Sequence, residues 1–80
     1  MFYVYLIQSQ PHPRKRYIGF TEDPHQRVTD HNRGCNPSTA PFTPWILRGF
    51  VAFDTKERAL AFEHYLKSGS GNAFANKRLW

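Results

Sequence analysis

Three sets of residues in this chain sit where packing alone gives them little to do. The first is Arg27 and His31, four apart on the segment Pro24 to Asn32, so on a helix they project from one face. That segment offers one good apolar residue, Val28, where a helix docked on a sheet shows about three or four per two turns. A solvated polar helix is the plainer reading of the pair. The lack of any other face that could dock favours a functional one, with a guanidinium suited to phosphate oxygens and an imidazole able to donate or move a proton. The second is Glu63, which falls inside the apolar arc of Ala59, Phe62 and Leu66 on a later helix. A carboxylate there needs a partner, because burying it unpaired costs several kcal/mol or neutralises it. Lys67, one turn on, is the plain partner, worth ~0.3–0.5 kcal/mol if exposed. A hard divalent cation is the sharper one, taking carboxylate oxygen and waters while leaving positions for a phosphate; spacing leaves both open. The third set is tyrosine. Tyr3 and Tyr5 alternate onto one face of a strand, and Tyr17 and Gly19 share a face of the next. Core packing suits any single strand tyrosine, but two phenols facing across a hairpin meet near one point, and Gly19 leaves room for a backbone or ligand to approach. A phenol whose pKa falls beside an arginine can accept a proton.

These residues have to be held by a small framework. Phe2–Gln8 and Arg16–Phe20 are rich in β-branched and aromatic residues and predict two strands, joined by a loop over Ser9–Lys15 that contains Pro11 and Pro13. Asp23-Pro24 reads as a helix N-cap with proline in the first turn, opening a helix over Pro24–Asn32 that Gly34 ends. Cys35–Thr43 predicts loop. Trp45–Phe53 is a long apolar run interrupted by Arg48 and Gly49 and predicts a third strand. Asp54 with Glu57 three residues on suggests a capping box for a helix running to about Ser68, with Gly69 as C-cap. A short basic helix over Asn72–Arg78 follows. The order strand, strand, helix, strand, helix, helix predicts an α+β (mixed α/β) domain, a small three-stranded antiparallel sheet flanked by helices.

Eighty residues predict one domain over 1–80 with one core. A single cysteine, Cys35, excludes an intramolecular disulfide and suits a reducing, cytoplasmic setting. Apolar residues are only 40% of the chain but aromatics reach 16%, so few and large side chains build the core. A formal charge of +5 favours polyanionic partners. No apolar run is long enough to span a membrane, no strongly amphipathic basic helix lies along one, and Met1–Ile7 lacks the flanks of a signal peptide.

Tyr3-Val4-Tyr5, eleven intervening residues and Tyr17-Ile18-Gly19 resemble the two blocks that name the GIY-YIG endonuclease family. The pattern continues in order with Thr21-x-Asp23-Pro24-x-x-Arg27-x-x-x-His31, then Glu63, then Lys67-Ser68-Gly69-Ser70-Gly71. The likeness covers essentially the whole chain, and is strongest to small standalone members related to the N-terminal nuclease domain found in the excinuclease ABC complex. It implies hydrolysis of DNA phosphodiester bonds, in repair or recombination, with one Mg2+ or Mn2+ held by Glu63. Arg27 would steady the phosphate and the attacking water, Tyr17 would act as general base, and Tyr5 would line the same pocket. His31, matched in only part of the family, would be a proton relay or second contact. Three positions depart from the pattern: Tyr3 stands where the name calls for glycine, Phe20 where the excinuclease-like pattern has lysine, and neither Asn72 nor Asn76 falls at the spacing of a late asparagine that supports the metal.

The remaining basic residues, Arg14, Lys15 and Arg16 on the hairpin together with Lys67, Lys77 and Arg78, are read as DNA contacts, each phosphate contact adding ~0.9 to the salt slope on duplex. So small a surface leaves little for base readout, so a preference for DNA shape and a protein partner that supplies targeting are expected. A catalytically weak nucleic-acid-binding module on the same fold is the alternative. His25, His31, Cys35 and His64 lack the paired short spacings of structural zinc sites, and Cys35 reads as an inert loop thiol. Trp45 and Trp80 read as packing residues.

Overall fold

The computed structural model describes residues 1–80. Its elements are strands β1 (Phe2–Ser9) and β2 (Arg16–Thr21), helix α1 (Pro24–Asn32), a single 3-10 turn over Ala40–Phe42, strand β3 (Trp45–Phe53), and helices α2 (Lys56–Leu66) and α3 (Gly69–Arg78). The three strands form one antiparallel sheet in the order β2-β1-β3, as the element order predicts.

Because β1 is central and covered on both sides, it reads as a continuous apolar run rather than an alternation: Val4, Tyr5, Leu6 and Ile7 are all buried. Strand periodicity then sends them to two cores. Val4 packs with Ala59 and Leu66 of α2 and Ala75 of α3 on one face. Tyr5 and Ile7 pack with Trp45 on the other, where Val28 of α1 joins them. The β1–β3 register shifts between Leu6, opposite Gly49, and Ile7, opposite Leu47. Arg48 is therefore the extra residue of a bulge, which accounts for the break in an otherwise apolar strand.

The start of α1 is as the sequence predicts: Asp23 accepts a hydrogen bond from the Gln26 amide at 3.1 Å and Pro24 occupies the first turn. Gly34, at φ 79°, follows the last turn and its amide reaches the His31 carbonyl.

Two boundaries differ from the sequence reading. Thr55, not Asp54, caps α2, its hydroxyl accepting from the Arg58 amide. Asp54 instead forms an exposed pair with Arg58 at 3.6 Å. At the other end Gly69 does not close α2. It opens α3, which starts three residues earlier than the basic segment suggests because Ser68 caps it, accepting from the Gly71 amide at 3.3 Å. The turn between the helices is tight: a Cβ on Gly71 would run into the Tyr65 carbonyl and the Leu66 backbone, whereas one on Gly69 would meet nothing.

This contrast is testable. Gly71→Ala should destabilise the fold by about 3 kcal/mol or more, since the clash is with backbone that cannot swing away, while Gly69→Ala should stay within about 0.5 kcal/mol of wild type. Urea denaturation followed by circular dichroism measures both; equal stabilities would contradict the packing described.

Candidate active site

The β1–β2 register places Tyr5 opposite Gly19 and Ile7 opposite Tyr17, so both phenols stand on the α1 face, diagonal to one another with ring centroids 6.1 Å apart. The space at Gly19 is filled by Tyr5 itself. A Cβ there would lie 2.5 Å from the Tyr5 hydroxyl oxygen, so only glycine lets the ring lie flat over β2. The sequence reading of Gly19 as room for a backbone or ligand is corrected: the space is taken by the Tyr5 ring of the same chain.

Tyr5 is 1% exposed and so is His31. The Tyr5 hydroxyl lies 2.8 Å from His31 Nε2, and His31 Nδ1 lies 2.7 Å from the Thr39 hydroxyl. The tautomer follows from what each group can do. The single Thr39 hydroxyl proton goes to the Asn36 carbonyl at 3.3 Å, which can only accept. His31 Nδ1–H therefore donates to Thr39, and the bare Nε2 accepts the Tyr5 O–H. Thr39 is itself pinned, its carbonyl accepting from the Trp45 indole at 2.8 Å. Trp45 is a packing residue, as expected, and a support for this network as well. Thr39 has no sequence signature; it lies in a stretch that reads only as loop.

Arg27 is half-buried and lies near enough to the Tyr5 hydroxyl for that oxygen to raise its pKa. Burial pushes the Tyr5 phenol up to about 12, with Arg27 offsetting part of the rise. Tyr5 is thus a protonated donor to His31, not the phenol of lowered pKa that the sequence allows for. Burial, and then the nearby Arg27 charge, hold His31 below the usual imidazole range, which keeps it neutral at pH 7 as the tautomer requires. His31 reaches the site through Tyr5. The bonded chain Tyr5–His31–Thr39 is a buried positioning network, with the half-buried Arg27 beside its Tyr5 end.

Tyr17 is half-buried, with its ring 5.2 Å from that of His31. It is close enough for its charge state to act on both Tyr5 and Arg27. From the other side α2 brings Glu63, whose side chain is 21% exposed, and whose charge also acts on Tyr5. Glu63 Oε2 accepts from Lys67 Nζ at 3.0 Å, and the same Nζ lies 6.0 Å from the Tyr17 ring centre. The plain partner of Glu63 is therefore present. Its other oxygen makes no hydrogen bond within the protein. No cluster of three or more His, Cys, Asp or Glu surrounds it, so the donor set is one half-buried carboxylate. That suits a hard cation such as Mg2+, which binds through one or two carboxylates and completes its shell with waters and substrate phosphate.

The other basic residues divide by place. Arg14, Arg16 and Lys67 line one cleft beside Tyr17, and Arg16 donates to Asn76 Oδ1 at 2.8 Å. Lys15 lies 4.9 Å from the Phe42 ring centre. Lys77 and Arg78 are exposed at the end of α3. Asn72 lines the cleft, and Trp80 does too.

The His31 network has a pH signature. An unfolded histidine takes a proton below about pH 6.5, and folded His31 resists it to lower pH, so protonation favours unfolding. Stability from this group is complete above the unfolded value and declines as pH falls through the folded one. Denaturation between pH 7.5 and 5.5 should show falling stability in wild type and a flatter profile in His31→Gln; matching slopes would contradict the assignment.

The sequence matches known proteins at the level of the domain. The GIY-YIG catalytic domain model matches residues 1–78. The chain is similar to structure-specific endonuclease subunit SLX1 of Scheffersomyces stipitis, 42% identical over 68 residues, 76% of this chain and 20% of that protein. An SLX1 homolog of Giardia intestinalis is 39% identical over 66 residues, 78% of this chain and 18% of that protein. This chain spans about a fifth of the length of these SLX1 relatives. It spans more of a UPF0213 protein of Haloquadratum walsbyi, 39% identical over 67 residues, 82% of this chain and 73% of that protein. With both tyrosine blocks, Arg27 and Glu63 gathered at one place on a ββαβαα fold, and the family's domain matched along nearly its whole length, the chain belongs to the GIY-YIG family.

Proposed function

We propose that this protein is a DNA endonuclease or nickase that hydrolyses phosphodiester bonds with the help of a divalent cation. The observation that carries this reading is the seating of Tyr5 on a buried histidine, with Tyr17 packed against both rings and Lys67 reaching from Glu63 toward the Tyr17 ring, while the Arg27 charge acts on Tyr5. Structural needs alone do not bring a cation, a phenol and a carboxylate to one surface. The names of the SLX1 relatives, structure-specific endonuclease subunits, support DNA as substrate and recognition by shape rather than sequence.

In this reading Arg27 donates to non-bridging oxygens of the scissile phosphate and orients the attacking water. Tyr5, protonated with a pKa of about 12, is unsuited to take a proton. Tyr17, with Lys67 near its ring, would act as the base in its ionised form, the phenolate oxygen taking the water proton to become the neutral phenol. Glu63, released from Lys67, would hold Mg2+ or Mn2+, which when bound supplies charge stabilisation at the phosphate and the leaving 3′ oxygen. Lys67 is then free to meet the DNA backbone. The exposed thiol of Cys35 supports a reducing, cytoplasmic setting, and the small surface supports a protein partner that directs the domain to its DNA. No helix is long and apolar enough to cross a membrane.

A second reading, a binding module with little catalysis, has one observation in its favour: Glu63 is already neutralised by Lys67. Plasmid nicking with Mg2+ or Mn2+ separates them. Wild type should nick and stop on chelation. Glu63→Gln and Arg27→Ala should each lose about 100-fold or more in rate, on the scale of removing one preorganised charge contact, with Glu63→Gln still binding DNA. Tyr17→Phe should lose ~10²–10⁴-fold, as for a general base. Equal nicking by wild type and Glu63→Gln would overturn the metal-dependent mechanism; DNA binding without nicking by any of them would leave the binding module.

A further inference from the structure

Beside β2 lies a cleft of about 440 Å³ that shares Tyr17 and Lys67 with the candidate active site. We propose that it holds one unpaired nucleotide of the bound DNA strand next to the scissile phosphate, with Arg16 as phosphate ligand and Trp80 as the wall for sugar and base. The inference rests on the DNA endonuclease reading and names the class of DNA it acts on, duplex with a single-stranded extension.

Charge comes first. Arg14 and Arg16 both line the cleft and neither has a carboxylate partner, the two ion pairs of the protein being Arg58–Asp54 and Lys67–Glu63. Their positive field is uncompensated and converges on one concavity, which favours a phosphate. Preorganisation adds to it. Arg16 donates to Asn76 Oδ1 at 2.8 Å, and Asn76 Nδ2 donates to Asn72 Oδ1 at 3.1 Å. The guanidinium also lies over the Trp80 ring, 4.6 Å from its centre. These are neutral partners that fix direction without cancelling charge, and they leave guanidinium N–H groups free. The walls then select among phosphates. Ile18 and Trp80, both partly exposed, give the cleft an apolar side, of no use to a bare phosphate but suited to a deoxyribose and a base face. A base stacked within duplex must first break its pairing and stacking to turn into such a cleft, a cost an unpaired base avoids. Lys15, Lys77 and Arg78 do not line the cleft and have no part in it.

Fluorescence anisotropy with a labelled blunt duplex, the same duplex carrying a short single-stranded extension, and deoxyadenosine monophosphate as competitor tests the assignment. Wild type should prefer the extended duplex. Arg16→Ala should lose that preference and lower the salt slope on the extended DNA by about 0.7, the share of one single-strand phosphate. Trp80→Ala should weaken binding to the extended DNA ~10-fold, as for one lost base stack. Asn76→Ala, at an exposed helix position, keeps every charge but releases Arg16, and should reduce the preference partway; this readout stands even if Arg16→Ala folds poorly. The mononucleotide should compete only weakly. No preference in wild type, equal losses on both DNAs, or a mononucleotide that competes as well as the strand would each overturn the proposal. If the Arg16-dependent preference appears but neither DNA is cut in Mg2+, the endonuclease reading fails and the cleft assignment stands.

Discussion

The arrangement depends on the way one side chain, Tyr5, is seated. Its ring lies against the bare backbone of Gly19 on the neighbouring strand, and its hydroxyl lies between the buried His31 and the half-buried Arg27. Burying a polar group this deeply is costly unless it is bonded, and here the partners are the residues that give α1 its unusual character. α1 has little apolar surface to dock with: Val28 and Pro24 are aided by a histidine whose two nitrogens are both satisfied. The hydrogen-bond network thus substitutes for hydrophobic area on this face of the sheet, and places the Arg27 charge beside Tyr5. In the proposed function, packing and chemistry meet at Tyr5.

Charge is managed in two ways around this centre. Lys67 is shielded by an acidic neighbour, and the half-exposed pair is weak; in the proposed mechanism it would give way to a phosphate and a metal ion. Arg16 is instead held by neutral groups, Asn76 and Trp80. Neutral restraint preserves the positive field that a chain of formal charge +5 presents to a polyanion.

Much of this is legible in residue order. The three strands, the Asp23-Pro24 start of α1, the shared face of Tyr5 and Tyr17, and the placement of Glu63 in the apolar arc all follow from local periodicity and capping chemistry, and the tyrosine blocks carry the family. The boundaries around α2 are not, because Asp54 and Thr55 are both good caps, and only geometry decides which hydroxyl or carboxylate meets the Arg58 amide. Gly69 resembles a C-cap, yet Ser68 caps the next helix and the demanding glycine is Gly71, which touches the backbone of the preceding helix. Thr39 is illegible for a different reason. Its task is to receive a proton from a histidine eight residues earlier in the chain, and no periodicity marks a loop residue chosen by a tertiary contact. The high pKa of Tyr5 is hidden as well, since it comes from burial that a strand pattern alone does not quantify.

At the centre of the proposed chemistry, Arg27 would hold the scissile phosphate directly while Glu63, freed from Lys67, would hold the divalent cation that neutralises it. A crystal structure of Tyr17→Phe with duplex DNA and Mn2+, using manganese anomalous scattering, tests this most directly. Manganese density is expected on Glu63, with a backbone phosphate between it and the Arg27 guanidinium and Lys67 moved onto the DNA. Density elsewhere, with the Glu63–Lys67 pair intact and no phosphate at Arg27, would contradict it.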